Sequence, residues 1–215
     1  MYLVIILSPL LSCSINLCFG FLLGKKGASF LAISSIFISF SLTLIAIYNI
    51  IYNQITIYLI LYNWIKTDML LLNIGFLFDS LSISLIFIIT FISLLVHVYS
   101  YEYMNTDPHL IRFMAYLSLF TFFMLILVSA DNFLQMFLGW EGVGLASYLL
   151  INFWFTRIQA NKAAIKAMIV NRIADFFLAF GLFTIYFYCN SLEYSIVFNI
   201  LPYLKETYII FCNIK

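Results

Sequence analysis

The residue whose type and position predict chemistry most directly is a single carboxylate inside an apolar stretch. Glu141 lies in the run GWEGVGL (139–145), near the middle of the apolar segment 133–155. An acidic group at the centre of a spanning helix costs at least roughly 2.5–3.5 kcal/mol, so such residues usually face a protein or water interior and handle ions or protons. Glu141 is therefore a candidate proton carrier. The alternative is a protonated carboxyl that only hydrogen-bonds helices together.

A second group of charges opens a later apolar segment, in the run KAAIKAMIVNRIADF (162–176). Arg172 and Asp175 are three residues apart, which places them on one helix face. They are either a structural ion pair that lowers the cost of both charges or a charge that tunes the Glu141 site. Lys162 and Lys166 lie one turn apart at the expected membrane edge and fit interfacial residues. Lys166 is also a candidate tuning group.

Three further titratable residues lie at the ends of apolar segments. Asp79, in FLFDSLS, is either a helix N-cap or a partly buried relay or tuning group, whereas Asp131, in the short turn SADNF, is expected to be an N-cap. His97, in LLVHVYS, titrates near neutral pH and is a candidate proton relay. The alternative for His97 is an interfacial position without a relay role.

Composition decides which elements position these residues. The chain of 215 residues is 65% hydrophobic and only 9% charged, far from the soluble average of about a quarter charged. We expect an all-α, polytopic membrane protein with six spans of about 20 residues each. These spans are predicted at about 3–23, 29–52, 79–100, 113–130, 133–155 and 167–188, in one membrane domain covering 1–188.

Two segments do not fit a span. The run from 55 to 78 is too short and too polar to cross cleanly, so it is predicted to be an interfacial or re-entrant piece. Residues 189–215 are predicted to be a polar C-terminal tail, in which the apolar stretch 208–212 does not complete a seventh span.

Basic residues predict the orientation of these spans. With six spans both termini share a side, and most of the lysines and arginines then fall on the other. The positive-inside rule places that basic side in the cytoplasm or matrix. It carries Lys25, Lys26, Arg112, Arg157, Lys162, Lys166 and the nearby Arg172.

Several classes of protein are excluded by absences in the sequence. A net charge of +1 gives no reason to expect nucleic acid as a partner. There is no GxGxxG, P-loop, cysteine cluster or histidine pair at haem spacing, so no cofactor and no metal are expected in this chain. No Arg/Ser-rich transit peptide precedes the first span, which favours a bacterial inner membrane or a protein made inside its own organelle.

The run DPHLIRFMAYLSLFTFFMLILVSADNFLQMFLGWEGVGLASYLLINFWFTRIQANKAAIKAMIVNRIADFFLAF (107–180) resembles the chain 5 family of NADH:ubiquinone oxidoreductase, respiratory complex I. The run FDSLSISLIFIITFISLLVHVYSYEYM (78–104) is similar to the third span of the same family. The resemblance is specific over about 75–180, and the first two spans match only in general character. We expect the mitochondrial version of that chain.

The resemblance implies an antiporter-like, proton-pumping subunit that couples NADH oxidation by quinone to proton translocation without a redox centre of its own. The glutamate of the family's WEG motif falls on Glu141. The aspartate of its NR-x-G-D stretch falls on Asp175, with Arg172 beside it and Ala174 where the family usually has glycine. The implied location is the mitochondrial inner membrane, among lipids and the other membrane-arm subunits of complex I.

The family's chain is much longer and carries, on its seventh span, a lysine that pairs with the glutamate. Because this lysine has no counterpart here, we expect a second polypeptide that supplies the missing C-terminal part. Two alternatives remain open: a subunit of a multi-subunit cation/proton antiporter, and a non-conducting membrane scaffold whose buried charges are structural.

Overall fold

The computed structural model describes residues 1–67 and 70–204 and shows a mostly helical chain. Five of its helices are long and apolar enough to cross a membrane, which confirms the multi-pass helical class. The elements are α1 (Tyr2–Ile47) with a following π-helical turn (Tyr48–Tyr52), β1 (Ile57–Lys66), β2 (Leu71–Phe78), α2 (Ser80–Tyr103), α3 (Leu110–Val128), α4 (Phe133–Ile151), α5 (Ile158–Cys189) and α6 (Tyr194–Leu204).

Helix α1 folds back on itself at Gly24. The backbone there has φ 67° and ψ 178°, a conformation that is essentially restricted to glycine. The two arms, 2–23 and 25–47, therefore pack side by side, and Ser39 of the second arm donates a hydrogen bond of 3.0 Å to the carbonyl of Ile5 in the first. The first two expected spans are thus the arms of one helical hairpin.

The segment expected to be an interfacial or re-entrant piece contains an antiparallel β-hairpin, in which Ile57 pairs with Phe78 and Lys66 with Leu71. Its two strands are too short to be membrane helices, and β1 is rich in the branched and aromatic residues that favour extended structure. The chain is therefore mostly helical rather than purely helical. The interfacial position of this hairpin stays a prediction.

The β-hairpin is bound to the α3–α4 connection at one end of the helices, which we call the hairpin end, and the start of α4 is bound there to the α5–α6 connection. Leu77 donates its backbone N–H to the carbonyl of Ser129 between α3 and α4, at 2.9 Å. Phe133 donates to the carbonyl of Leu192 between α5 and α6, at 3.1 Å. Backbone hydrogen bonds thus fix the spacing of the helices at this end.

The opposite end, which we call the basic end, contains the Gly24 bend and the connections α2–α3 and α4–α5. Lys25 donates to the carbonyl of Asn105 at 3.4 Å, and the indole of Trp154 donates to Asp107 at 3.0 Å. These contacts join all three connections. Two hydrogen bonds, from the backbone N–H of His109 and then from the Trp154 indole, lower the pKa of Asp107.

Apolar side chains form two separate buried clusters. The cluster near the hairpin end contains Ile5, Ile6, Ala46, Ile50, Phe76, Phe78, Ile83, Ile86, Leu125 and Ile126. The cluster near the basic end contains Ala32, Met104, Leu110, Met114, Leu117 and Phe153. Helices α1, α2 and α3 contribute to both clusters, so these three helices form the packed body of the chain.

Two helix starts test the capping predictions. Asp79 is the N-cap of α2, where its carboxylate accepts the N–H of Ser82 at 2.6 Å and the Ser82 hydroxyl accepts the N–H of Asp79 in return. The expectation that Asp131 caps α4 is wrong by one residue. Asn132 is the cap, and its side chain accepts the N–H of Gln135 at 2.8 Å.

Asp131 instead lies against the β-hairpin. A Cβ atom added to Gly75 would come within 2.6 Å of a carboxylate oxygen of Asp131, so glycine is needed for this approach. Burial raises the pKa of the Asp131 carboxyl. Burial, and then the charge of Asp131, also raise the pKa of Glu193. The hairpin end therefore holds two carboxyl groups that resist ionisation.

We expect Asp131→Asn to stabilise the protein at neutral and alkaline pH and to change nothing at acidic pH. A raised folded-state pKa contributes stability that is fully present below the unfolded pKa and is lost as pH rises through the folded pKa. The asparagine variant avoids that loss. Thermal unfolding in detergent, measured from pH 4 to pH 8 for both proteins, checks this; a pH-independent difference would contradict it.

Gly24→Ala is expected to destabilise the chain, because the bend requires a backbone conformation that costs a residue with a Cβ roughly 1–3 kcal/mol. Gly181→Ala is the matched control, since Gly181 lies within α5 and no atom lies within 4 Å of an added Cβ. Alanine there should be neutral or slightly stabilising. Thermal unfolding of the two variants in detergent checks the difference, and equal melting temperatures would refute the role of the bend.

Candidate functional site

Close contact between α4 and α3 sets the position of Glu141. A Cβ atom added to Gly139 would lie 2.7 Å from the backbone of Leu127, and one added to Gly142 would overlap the ring of Phe123. The two glycines thus let α4 approach α3 closely, as small residues do between membrane helices.

The structure brings Glu141 together with both charged residues predicted on α5. The guanidinium of Arg172 donates to Glu141 Oε1 at 2.9 Å. The same Nη1 atom lies 3.9 Å from Asp175 Oδ2, so Arg172 is shared between two carboxylates. We call Glu141, Arg172 and Asp175 the charged cluster.

Trp140 is a member of this site that the sequence did not single out. Its indole N–H donates to Asp175 Oδ1 at 2.8 Å and so links α4 to α5 a second time. A tryptophan N–H that is removed from water usually finds such a partner, and its place next to Glu141 in the GWEG run was the available signal. Trp140 and Arg172 hold the two oxygens of Asp175 from opposite sides.

The charged cluster is unevenly buried. The exposed fraction of the side chain is 10% for Asp175, 33% for Glu141 and 60% for Arg172. A cavity of about 320 Å³ adjoins the cluster, large enough for several water molecules. It is lined by Glu141, Gly144, Leu145, Tyr148, Leu149, Met168, Asn171, Arg172 and Asp175. Two carboxylates and one guanidinium therefore face a space between α4 and α5.

The outer face of α5 beside Arg172 is apolar and exposed. Helix α5 packs along α4 and contacts α6, and most of its large side chains are exposed. The exposed phenylalanines are Phe176, Phe177, Phe180, Phe183 and Phe187. Arg172 thus lies at the boundary between the charged cluster and an uncovered apolar surface.

The remaining predicted site residues lie elsewhere. Asp79 caps α2 at the hairpin end. Lys166 is exposed on α5, and no ion pair within residues 1–67 and 70–204 includes it. His97 is fully buried, and its ring contacts Ser93 and Ser118 rather than the charged cluster. The functional roles of all three stay predictions.

Two family models match most of this chain. Residues 64–114 match the family described as NADH-ubiquinone oxidoreductase (complex I), chain 5 N-terminus. Residues 130–214, which contain the charged cluster, match the transmembrane family described as NADH:quinone oxidoreductase/Mrp antiporter. The class of protein is therefore an antiporter-like membrane subunit.

Individual relatives give a narrower result. The chain is 48% identical over 215 residues to NADH-ubiquinone oxidoreductase chain 5 of Chondrus crispus, covering 100% of this chain and 32% of that protein. It is 53% identical over 195 residues to the same chain of Phytophthora infestans, covering 91% and 29%. The chain belongs to the NADH-ubiquinone oxidoreductase chain 5 family and spans about a third of the length of these relatives.

A solved structure agrees with this fold. The chain superimposes with a TM-score of 0.79 on a subunit of the membrane-bound sulfane sulfur reductase, an archaeal respiratory membrane complex. The alignment covers 91% of this chain and 39% of that one, at 15% identity. At this identity the likeness concerns the fold alone.

Gly139→Ala is expected to weaken the α3–α4 contact and to destabilise the protein by about 1–3 kcal/mol, the usual cost of overpacking. Gly144→Ala is the matched control on the same helix, because its added Cβ would meet only the Asn171 side chain at an ordinary 3.7 Å. Thermal unfolding in detergent should separate the two variants. Equal stability of both would show that α4 does not depend on this close approach.

Proposed function

We propose that this chain is the N-terminal part of the proton-translocating chain 5 of respiratory complex I, located in the mitochondrial inner membrane. It forms no covalent bond in the reaction, and its contribution is to bind and release protons as quinone is reduced by NADH elsewhere in the complex. The observation that carries the proposal is the Glu141–Arg172 ion pair, which lies near the middle of two spanning helices beside a cavity. The names of the relatives support it.

The shared guanidinium supplies a mechanism. Arg172 lies 2.9 Å from Glu141, and this ion pair supports the carboxylate at membrane depth. A shift of Arg172 toward Asp175, now 3.9 Å away, would remove that support and favour proton uptake by Glu141. Return of Arg172 would expel the proton. In this proposal, charge changes in neighbouring parts of the complex drive the shift.

The same cluster supports a proposal about partners. Two carboxylates beside one guanidinium leave an excess of negative charge in the cluster. Arg172 is 60% exposed at membrane depth, and such a charge is costly against lipid. We infer that further helices of chain 5 cover the outer face of α5 and bring a positive group to the cluster. Other membrane-arm subunits of complex I and lipids surround the assembly.

Two other functions are consistent with some of these observations. A subunit of a multi-subunit cation/proton antiporter fits the family that matches residues 130–214, whose description names the Mrp antiporter. Transport that requires NADH oxidation would favour complex I, whereas transport driven by a Na⁺ gradient alone would favour the antiporter. A non-conducting scaffold would require that Glu141→Ala disrupts assembly while Glu141→Gln has no effect.

Glu141→Gln is expected to leave assembly and NADH oxidation largely intact and to cut proton translocation per NADH by half or more. Glutamine keeps the size of the side chain and an oxygen for Arg172, but it cannot carry a proton at this site. The measurement is acidification per NADH oxidised in sealed inner-membrane vesicles. Glu102→Gln, at an exposed position near the basic end, is the matched control and should behave like the unmodified protein.

The assembly proposal is tested on the unmodified protein. Native membranes are solubilised gently, intact complexes are separated on a native gel, and the polypeptides that migrate with this chain are identified by mass spectrometry. Migration with NADH-oxidising activity and a polypeptide carrying later chain 5 helices is the expected result. Migration without redox subunits would contradict it.

A further inference from the structure

Two tryptophans of the chain each donate an indole N–H to an aspartate. Trp140 of α4 donates to Asp175 Oδ1 at 2.8 Å, and Trp154 donates to Asp107 Oδ2 at 3.0 Å. The two bonds have similar lengths but different surroundings. Asp107 lies in a connection at the basic end, whereas Asp175 lies within α5 and is 7% exposed. Of these two bonds, the one from Trp140 therefore lies within the membrane-spanning part of the chain.

The Asp175 carboxylate depends on this indole for its hydrogen bonding. Within residues 1–67 and 70–204, the hydrogen bond that the Asp175 side chain receives is the one from Trp140. The Nη1 atom of Arg172, at 3.9 Å from Oδ2, is too far away for a hydrogen bond. A buried carboxylate without a hydrogen bond is costly, so a donor at this position is favoured. An indole N–H donates and never accepts, and therefore it holds one oxygen of the carboxylate in place.

The residue after Trp140 joins the same two helices a second time. Trp140 is followed directly by Glu141 on α4, and Arg172 and Asp175 are three residues apart on one face of α5. The indole contacts Asp175, Asp175 approaches Arg172, and the guanidinium contacts Glu141. Because each group contacts the next, a displacement of Asp175 changes what Arg172 contacts.

Two distances show how Arg172 is divided between the two carboxylates. Its Nη1 atom lies 2.9 Å from Glu141 Oε1 and 3.9 Å from Asp175 Oδ2. Arg172 thus makes a hydrogen-bonded ion pair with Glu141 and a longer contact with Asp175. The Asp175 carboxylate is anchored through its other oxygen on the indole. Without that anchor, the carboxylate would be free to turn toward the guanidinium and compete with Glu141 for it.

We propose that Trp140 is a positioning residue for proton translocation: by holding Asp175, its indole N–H keeps Arg172 paired with Glu141 in the resting state. This inference rests on the proposed function of the charged cluster and adds the residue that sets its resting arrangement. Trp140 itself binds and releases no proton, because it acts through Asp175. The competing role is structural, in which the bulk of the indole fills space and its N–H is incidental. The side chain is 43% exposed, so it is only partly packed by this chain.

The test separates the N–H group from the bulk of the side chain. Trp140→Phe keeps a large aromatic ring and loses the donor. Trp140→His is smaller, but its five-membered ring can place an N–H where the indole nitrogen lies. In the assembled complex, we expect the histidine variant to translocate nearly as many protons per NADH as the unmodified protein and the phenylalanine variant half as many or fewer, both with normal NADH oxidation. The assay is run at pH 8, where an ordinary histidine, with a pKa of about 6.5, is neutral.

Trp154→Phe is the matched control. It removes an indole bond of similar length to an aspartate outside the charged cluster, so it should translocate like the unmodified protein. Equal translocation by the two Trp140 variants, or better translocation with phenylalanine, would overturn the proposal and assign Trp140 a packing role. Failure of both variants to assemble would overturn it as well. If only the histidine variant assembles, its normal translocation supports the proposal and its loss of translocation overturns it.

Glu141→Gln is measured in the same vesicles, so failure of this inference and failure of the proposed function are distinguishable. Normal translocation by Glu141→Gln contradicts the role of the charged cluster and, with it, any positioning by Trp140. Reduced translocation by Glu141→Gln together with full translocation by Trp140→Phe contradicts only the role of Trp140.

Discussion

A charge at membrane depth has to be neutralised by another charge or by hydrogen bonds, and the α4–α5 half of this chain is arranged around that requirement. Gly139 and Gly142 bring α4 close against α3, and Glu141 of the same helix pairs with Arg172 of α5. Asp175 receives the Trp140 indole on one oxygen and approaches Arg172 with the other. Helix α4 therefore carries both the close contact with α3 and the charged contacts with α5.

In the rest of the chain, different contacts hold the helices together at their ends and along their length. Both ends of the helices are tied by hydrogen bonds between connections, through the β-hairpin at one end and through the Lys25, Asp107 and Trp154 contacts at the other. Between the ends, two apolar clusters hold α1, α2 and α3 together. Buried hydroxyl groups and His97 also lie on these helices, and they hydrogen-bond to backbone carbonyls of their own helices.

The charged cluster and His97 differ in how much of their surroundings this chain supplies. The charged cluster is partly open on the outer face of α5, so its electrostatics depend on what covers it. His97 is completely enclosed by this chain, and its hydrogen bonds run to serines on α2 and α3. One site is therefore incomplete in isolation and suited to respond to a partner, whereas the other is fully specified by the residues around it.

The sequence by itself determined the membrane class, the position of the long helices and the identity of the charged residues, because hydropathy and residue type are local properties that survive without a fold. Three features needed the tertiary structure. The segment 55–78, expected to be an interfacial or re-entrant piece, contains a β-hairpin, which is held by a backbone bond from Leu77 to Ser129. The α4 cap moved from Asp131 to Asn132, because Asp131 lies against Gly75 of the hairpin. The pairing of Arg172 with Glu141 joins residues far apart in sequence on different helices, so spacing along one helix indicated only the weaker Arg172–Asp175 contact. Interhelical distances depend on packing, and packing is decided by the whole chain at once.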